Sequence, residues 1–246
     1  MDRMLYVAMS GASQMVRAQA VVANNLANAS TTGFRADQLS LEALPVHGPG
    51  QPARVYTRAR GEGFDADAGA LTSTGRELDV AVTGTGYIAV RGPDGREAYT
   101  RAGNLQLSEN GQLTTGEGWA VLGNGGPIAI PPTEKIEIGA DGTISVLPVG
   151  QDAATLSVLD RIKLVAPDQS QLSKTEQGLL RLSNGADATA DAGVTLTSGV
   201  LESSNVNAVE QMVAMIDYAR QYEMQIKMMS TARENSNRAA ELMRLG

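Results

Sequence analysis

Residues Ala23-Asn24-Asn25-Leu26-Ala27-Asn28-Ala29-Ser30-Thr31-Thr32-Gly33-Phe34-Arg35 place three amides at the end of an amphipathic run, just before a Ser/Thr/Gly break. Asn24 and Asn28 are four apart and Asn25 and Asn28 three apart, so on a helix these side chains are surface neighbours. Asparagine is a poor helix-interior residue because its amide competes for nearby backbone groups. Two readings stand at this point. The amides fix register between packed helices, as a buried Asn does in a coiled coil, or they mark a solvated, fraying helix end.

The run leading into them is spaced alternately four and three: Leu5, Met9, Ala12, Val16, Gln19, Ala23 and Leu26. That is the seam of a helix lying against another helix. The other end of the chain repeats the rule through Met212, Met215, Ala219, Tyr222, Ile226, Met229, Arg233, Ser236, Ala240 and Met243, with Val209, Val213 and Ile216 widening the stripe. Asn207 is placed to cap this helix, with Glu210 at its third position. Glu223/Lys227 and Glu234/Arg238 are four apart with the acid first, the favourable order. From 207 to 243 such a helix runs roughly 55 Å, longer than a small globule needs. The competing reading is a terminal helix folded back on its own domain. Composition pairs the two ends: all ten methionines lie at positions 1–15 or 212–243. Methionine is an adaptable filler of apolar contacts.

The middle reads as β structure. Short segments at 78–82, 87–90, 98–101, 105–107, 136–138, 143–146, 161–165 and 179–182 are separated by Asp94-Gly95, Asn110-Gly111, Asp141-Gly142 and Asn184-Gly185. Asn or Asp before Gly suits a hairpin turn because the pair tolerates positive φ. With few helical stretches between them, an antiparallel meander or open barrel is favoured over a βαβ sheet. Residues 36–77, with Pro45, Pro49 and Pro52, read as an extended connector.

Composition excludes several functions. The 246 residues, 42% apolar, suffice for one large domain or two to three small ones. There is no cysteine, hence no disulfide or thiolate chemistry. The net charge of −7 argues against nucleic-acid binding, and no apolar run has the length of a membrane span. Met1 to Gln14 is too polar for the apolar region of a signal peptide. Gly84-Thr85-Gly86-Tyr87-Ile88-Ala89 fits the dinucleotide fingerprint in letters, but that motif must open a helix, and the Asp94-Gly95 turn follows instead. Asp65-Ala66-Asp67-Ala68-Gly69 hints at a calcium loop, yet Arg76 stands where a bidentate Glu belongs. The single histidine, His47, lies between two prolines with no cysteine to pair with. No catalytic, cofactor-binding or metal-ligating set is identified, so no enzyme is expected.

Several segments taken together resemble the flagellar rod and hook proteins, the axial components of the bacterial flagellum. Ala23 to Arg35 is similar to the family's N-terminal signature, although Ala29 stands where a larger aliphatic residue is common. Leu78 to Val90 and Tyr99-Thr100-Arg101-Ala102-Gly103-Asn104-Leu105 resemble its central β motif, continued at Asn110 to Leu113 and Gly118 to Gly123. Gly199 to Asn207, followed by Glu210, Met212, Val213, Ile216, Arg220, Tyr222, Glu223 and Lys227, is similar to its C-terminal signature. Within the family, Met1-Asp2-Arg3, Tyr6 and Ala8 to Ala12 look most like the proximal rod subunit. Distal rod members share nearly every other motif.

The resemblance implies an α+β fold. Terminal helices from 1–35 and 200–246 pair as a coiled-coil-like assembly domain, 36–77 connects, and 78–199 forms a β-rich outer domain. It implies a structural subunit of the basal-body rod that transmits torque. Its partners are other rod subunits and further copies of itself, with delivery to the periplasmic space by the flagellar type III export apparatus without a cleavable signal peptide. Asn24, Asn25, Leu26, Asn28, Gly33 and Phe34, with Leu201, Glu202, Asn205, Val206, Tyr222 and Glu223, are the expected assembly residues, Gly33 as a positive-φ helix stop. The alternatives are a distal rod or hook component, and an oligomer whose β domain binds cell-wall glycan. For the latter, Trp119, Phe34 and Phe64 supply no evident aromatic platform.

Overall fold

The computed structural model describes residues 2–45, 55–148, 150 and 156–244, so His47 lies outside the described residues. The chain divides into two compact units. One comprises Met1–Ala29, Ala36–Asp65 and Val206–Gly246; the other comprises Ser30–Arg35 and Ala66–Asn205.

The first unit holds helix α1 (Asp2–Ala27), strands β1 (Asp37–Pro45) and β2 (Val55–Phe64), and helix α2 (Ala208–Arg244). Asn207 begins α2 as its sequence suggests. Its Oδ1 accepts from the backbone N–H of Val209 at 3.1 Å and of Glu210 at 3.3 Å, satisfying two donors the helix leaves open. The helices lie antiparallel. Asn25 meets Gln211, and a Cβ on Gly11 would come 3.0 Å from the Gln225 side chain. A step of 14 residues up α1 thus matches a step of 14 down α2.

The facing stripes are displaced by one residue from those the apolar spacing indicates. On α1 the buried positions are Ala8, Gly11, Ala12, Met15, Ala18, Val22 and Asn25, whereas Met9 and Val16 are about half exposed. On α2 the more covered positions run through Gln211, Met215, Tyr218, Tyr222, Gln225, Met229, Ala232 and Ser236, and Met212 and Ile226 face outward. The cause is size. Small residues at 8, 11, 12 and 18 let the helix axes approach, and the bulkier neighbouring row is left on the outside.

The connector expected over 36–77 is instead partly a hairpin. β1 and β2 pair antiparallel from Asp37↔Phe64 to Pro45↔Val55, with a bulge between Ser40 and Leu41. The alternation of Leu39, Leu41 and Ala43 with polar residues is a strand period. The prolines further along the segment obscured it.

In the second unit β3 (Leu71–Ser73) pairs with β18 (Val200–Glu202), and β4 (Val80–Thr83) pairs with β17 (Thr195–Ser198). Between them run β5 (Tyr87–Arg91), β6 (Glu97–Thr100), β7 (Leu105–Leu107), β8 (Leu113–Thr115), β9 (Ala120–Gly123) and β10 (Gly126–Pro127). Next come β11 (Thr133–Ile138), β12 (Thr143–Pro148), β13 (Ser157–Arg161), β14 (Leu164–Val165), β15 (Leu172–Lys174) and β16 (Leu180–Leu182). The largest sheet has the order β15-β16-β6-β5-β9-β8-β7, with β10 on β9 and β14 on β5; β11-β12-β13 forms another. Every pairing among the described residues is antiparallel. Gly95, Gly111 and Gly142 take positive φ in the turns joining β5 to β6, β7 to β8 and β11 to β12. Asn184-Gly185 is a turn but closes no hairpin, because β17, the next strand, pairs with β4. Val80, Ile88, Val90, Leu105, Leu113, Val121, Ile144 and Ile162 form the buried core. Truncating one of these to alanine costs about 2–5 kcal/mol.

Arg181 grips Asp94, at the β5–β6 turn, through both guanidinium nitrogens, Nη1 reaching Oδ2 at 2.7 Å. The Arg181 hydrogen bond lowers the Asp94 carboxyl to about 2. Because the folded value is depressed, the stabilisation is present above the unfolded value of about 3.9 and is lost as pH falls toward the folded one. Thermal melts of the parent and Arg181→Gln should therefore differ at pH 6 and converge as the pH falls to about 2.

Candidate assembly site

Gly33, Phe34 and Arg35 lie after the Asn-rich end of α1, and Leu201, Glu202 and Asn205 before α2. Within the β unit these two chain crossings are joined. The Gly33 N–H donates to the Glu202 carbonyl at 2.8 Å, and the Asn205 N–H donates to the Phe34 carbonyl at 3.3 Å. Arg35 Nη2 is 2.6 Å from Glu202 Oε1, and Arg101 Nη1 is 3.0 Å from Glu202 Oε2. The Gly69 N–H also donates to Oε1, at 2.8 Å. Arg101 further donates to the carbonyls of Val82 and Gly84, and its guanidinium lies over the Tyr87 ring. These charges are almost fully enclosed: Glu202 is 1%, Arg35 3% and Arg101 4% exposed. Burial pushes the Arg101 guanidinium below its ordinary value, Glu202 opposing and Arg35 adding to the shift. Burial likewise raises the Tyr87 hydroxyl.

Gly33 has φ +67°, as expected of it, but lies six residues beyond the end of α1 and does not stop that helix. Its role is close approach, since a Cβ there would come within 2.2 Å of the Arg101 backbone carbon. The helix end is closed by Asn28, whose Nδ2 donates to the Asn24 carbonyl at 2.9 Å. Phe34 is buried, and the Lys174 ammonium sits 3.8 Å from its ring centroid while donating to the Arg35 carbonyl.

The three amides divide. Asn25, 2% exposed, faces inward: its Oδ1 accepts from the Asp37 N–H at 2.7 Å, and its Nδ2 donates to the Asp37 carbonyl at 2.9 Å and to Gln211 Oε1 at 3.3 Å. One side chain thereby ties α1 to β1 and α2. Asn24 is exposed and Asn28 half-buried, and the two bond each other. Asn25→Ala leaves a buried backbone pair without partners and should cost about 1–3 kcal/mol. Asn28→Ala should cost less than about 1 kcal/mol. Urea unfolding of both variants checks the contrast.

Leu26, Leu201, Val206 and Tyr222 are half-buried, and Glu223 is exposed. Asn205 Nδ2 donates to the Asp67 carbonyl at 3.0 Å. The expected set therefore separates into an internal clasp (Gly33, Phe34, Glu202, Asn205), a helix-pairing residue (Asn25) and more open positions. Arg101, Gly69, Lys174 and Gln211 were not foreseen. Arg101 alone had a signal, lying within a motif quoted for the central β region. Outward on α2, Val209, Met212, Val213 and Ile216 are 46–67% exposed. Their spacing of three, four and seven places them on one face.

Among the described residues no cluster of metal-ligating side chains occurs, and no helix is long and apolar enough to cross a membrane. Trp119 packs against the core, with its Nε1 on Glu117 Oε2 at 3.1 Å. Its ring is not set in an open platform for sugar.

A chain whose two ends share one helical unit, with a large apolar patch turned outward, defines an assembly subunit. Three family descriptions match in order. "Flagella basal body rod protein" covers residues 5–35, "Flagellar hook protein FlgE/F/G D1 domain" covers 81–146, and "Flagellar basal body rod FlgEFG protein C-terminal" covers 197–242. The chain is 45% identical to the flagellar basal-body rod protein FlgF of Escherichia coli and 44% identical to that of Salmonella typhimurium, over 99% of each chain. It is 32% identical to FlgG of Bacillus subtilis, over 95% of this chain and 96% of the relative. The chain belongs to the flagellar basal-body rod protein family and is a structural subunit of the rod.

Proposed function

We propose that this subunit occupies the proximal segment of the rod, as FlgF-type proteins do, and has no enzymatic role. The identity to FlgF along nearly the full length carries this reading, against 32% for a FlgG. The antiparallel α1–α2 pair acts as a coiled-coil-like unit. Its matched 14-residue steps, two heptads on each helix, support that reading. In the rod the paired helices form the inner layer of the tube, and the β unit of about residues 66–205 faces outward to neighbouring structures of the periplasm. The expected residues that remain open on the chain, Asn24, Leu26, Tyr222 and Glu223 among them, take part in contacts with neighbours. Head-to-tail contacts that do not close into a ring build a helical shaft of this kind, able to carry torque.

Before assembly the helical unit is held weakly, because α2 has Ala232 as its one buried residue among those described. Loose termini suit passage through the type III export channel. Limited proteolysis of the purified chain should cut α2 first and leave a resistant core within about residues 66–205; equal resistance throughout would reject loose termini. Position is tested by photo-crosslinking from α1 in intact basal bodies. Adducts to proximal rod components are expected, and adducts confined to distal rod or hook components would overturn the assignment.

A further inference from the structure

The clasp around Glu202 is not balanced in charge. Two guanidinium groups share one carboxylate, and each of the three side chains is at most 4% exposed. Three buried donors are also left over: Arg35 Nε, Arg35 Nη1 and Arg101 Nε have no protein partner among the described residues. Beside them lies a cavity of about 10 Å³, lined by Gly33, Arg35, Tyr99, Thr100, Arg101, Gly178 and Leu180. Lys174, bound to the Arg35 carbonyl, adds a third positive group to the neighbourhood.

A cavity of that size admits one water-sized particle. It is too small for a carboxylate, phosphate or sulfate. A water would satisfy hydrogen bonds but supply no charge, and an uncompensated buried charge costs several kcal/mol. The Tyr87 ring face, 5.3 Å from the Arg101 guanidinium carbon, offsets part of the excess at Arg101. No described aromatic ring does the same for the free edge of Arg35. A small anion answers both deficits, because charge-assisted bonds from guanidinium N–H groups are the strong ones.

We infer that the cavity beside Arg35 and Arg101 is a binding site for a single halide-sized anion, chloride under ordinary conditions, which completes the clasp between the two chain crossings. The site stands independently of the position assigned in the rod. Anything that binds only the folded state raises its unfolding temperature with concentration.

The test uses the full-length protein at constant ionic strength, with sodium gluconate replaced stepwise by sodium chloride or bromide. Gluconate is too large for the cavity. Above the dissociation constant, a hundred-fold rise in halide should lift the unfolding midpoint by roughly 5 °C, and Arg35→Met should abolish the response. Identical midpoints in gluconate and halide would mean that water alone fills the site, and would overturn the inference. A halide response that persists in Arg35→Met would place the anion elsewhere and overturn it equally. Should that variant fail to fold, a bromide soak of parent crystals decides the matter. An anomalous peak within hydrogen-bond reach of Arg35 Nη1 or Nε supports the site, and its absence rejects it.

Discussion

Glu202→Gln should destabilise the β unit by about 3–5 kcal/mol, among the largest losses a single substitution in this chain can produce. The glutamine is nearly isosteric and still accepts one bond, so the loss isolates charge from packing. Without the carboxylate, Arg35 and Arg101 face each other in an enclosed site with no counter-charge in the protein. Their mutual repulsion is no longer screened by solvent. A melt should register a fall of roughly 10 °C. Arg35→Met added to Glu202→Gln should recover part of it, because one buried cation then remains, still held by the carbonyls of Val82 and Gly84. The double-mutant cycle therefore carries a coupling of the sign expected for an ion pair. A loss below about 1 kcal/mol for Glu202→Gln would show that the clasp is solvated and not a buried charge cluster.

That clasp shows where sequence reasoning ends. Arg35 and Glu202 are 167 positions apart, and Arg101 and Glu202 are 101 apart, so no local period joins them. Arginine at the end of a strand ordinarily reads as a solvated residue. Glu202 and Gly33 could be singled out from the family signatures, but the use of Gly33 for close approach to the Arg101 backbone needs coordinates. The elements with local chemistry were legible: the Asn207 cap, three of the four Asx-Gly hairpin turns, and the antiparallel character of the middle. The helical seams were legible to within one residue. Two rows offset by one satisfy the same alternating spacing where they share Ala12, Met215, Tyr222 and Met229, and hydrophobic size favoured the outer row. In the folded chain the smaller residues face inward, since helix approach is limited by bulk and not rewarded by hydropathy alone. The hairpin from Asp37 to Phe64 was missed because its prolines outweighed a short alternation.

The displaced seam gives the outer row its significance. Val209, Met212, Val213 and Ile216 are 67%, 46%, 55% and 54% exposed. They lie on a face of α2 distinct from Gln211 and Gln225, which meet α1. Fully burying one such side chain contributes about 1.5–3 kcal/mol, so four adjacent ones on one face are a substantial unused driving force for assembly. A charge placed there cannot be buried unpaired without a cost of several kcal/mol. The double variant Val213→Asp/Ile216→Glu should therefore fold as the parent does, with a melt unchanged to within about 0.5 kcal/mol, as exposed positions allow. It should nevertheless abolish swimming on soft agar when it replaces the rod subunit in its own bacterium, with the protein still exported. Glu223→Gln, on the same helix and also exposed, should reduce swimming far less, because it removes one rim charge and buries none. Normal motility of the double variant would show that this face stays open in the rod and that the neighbouring subunit docks on another.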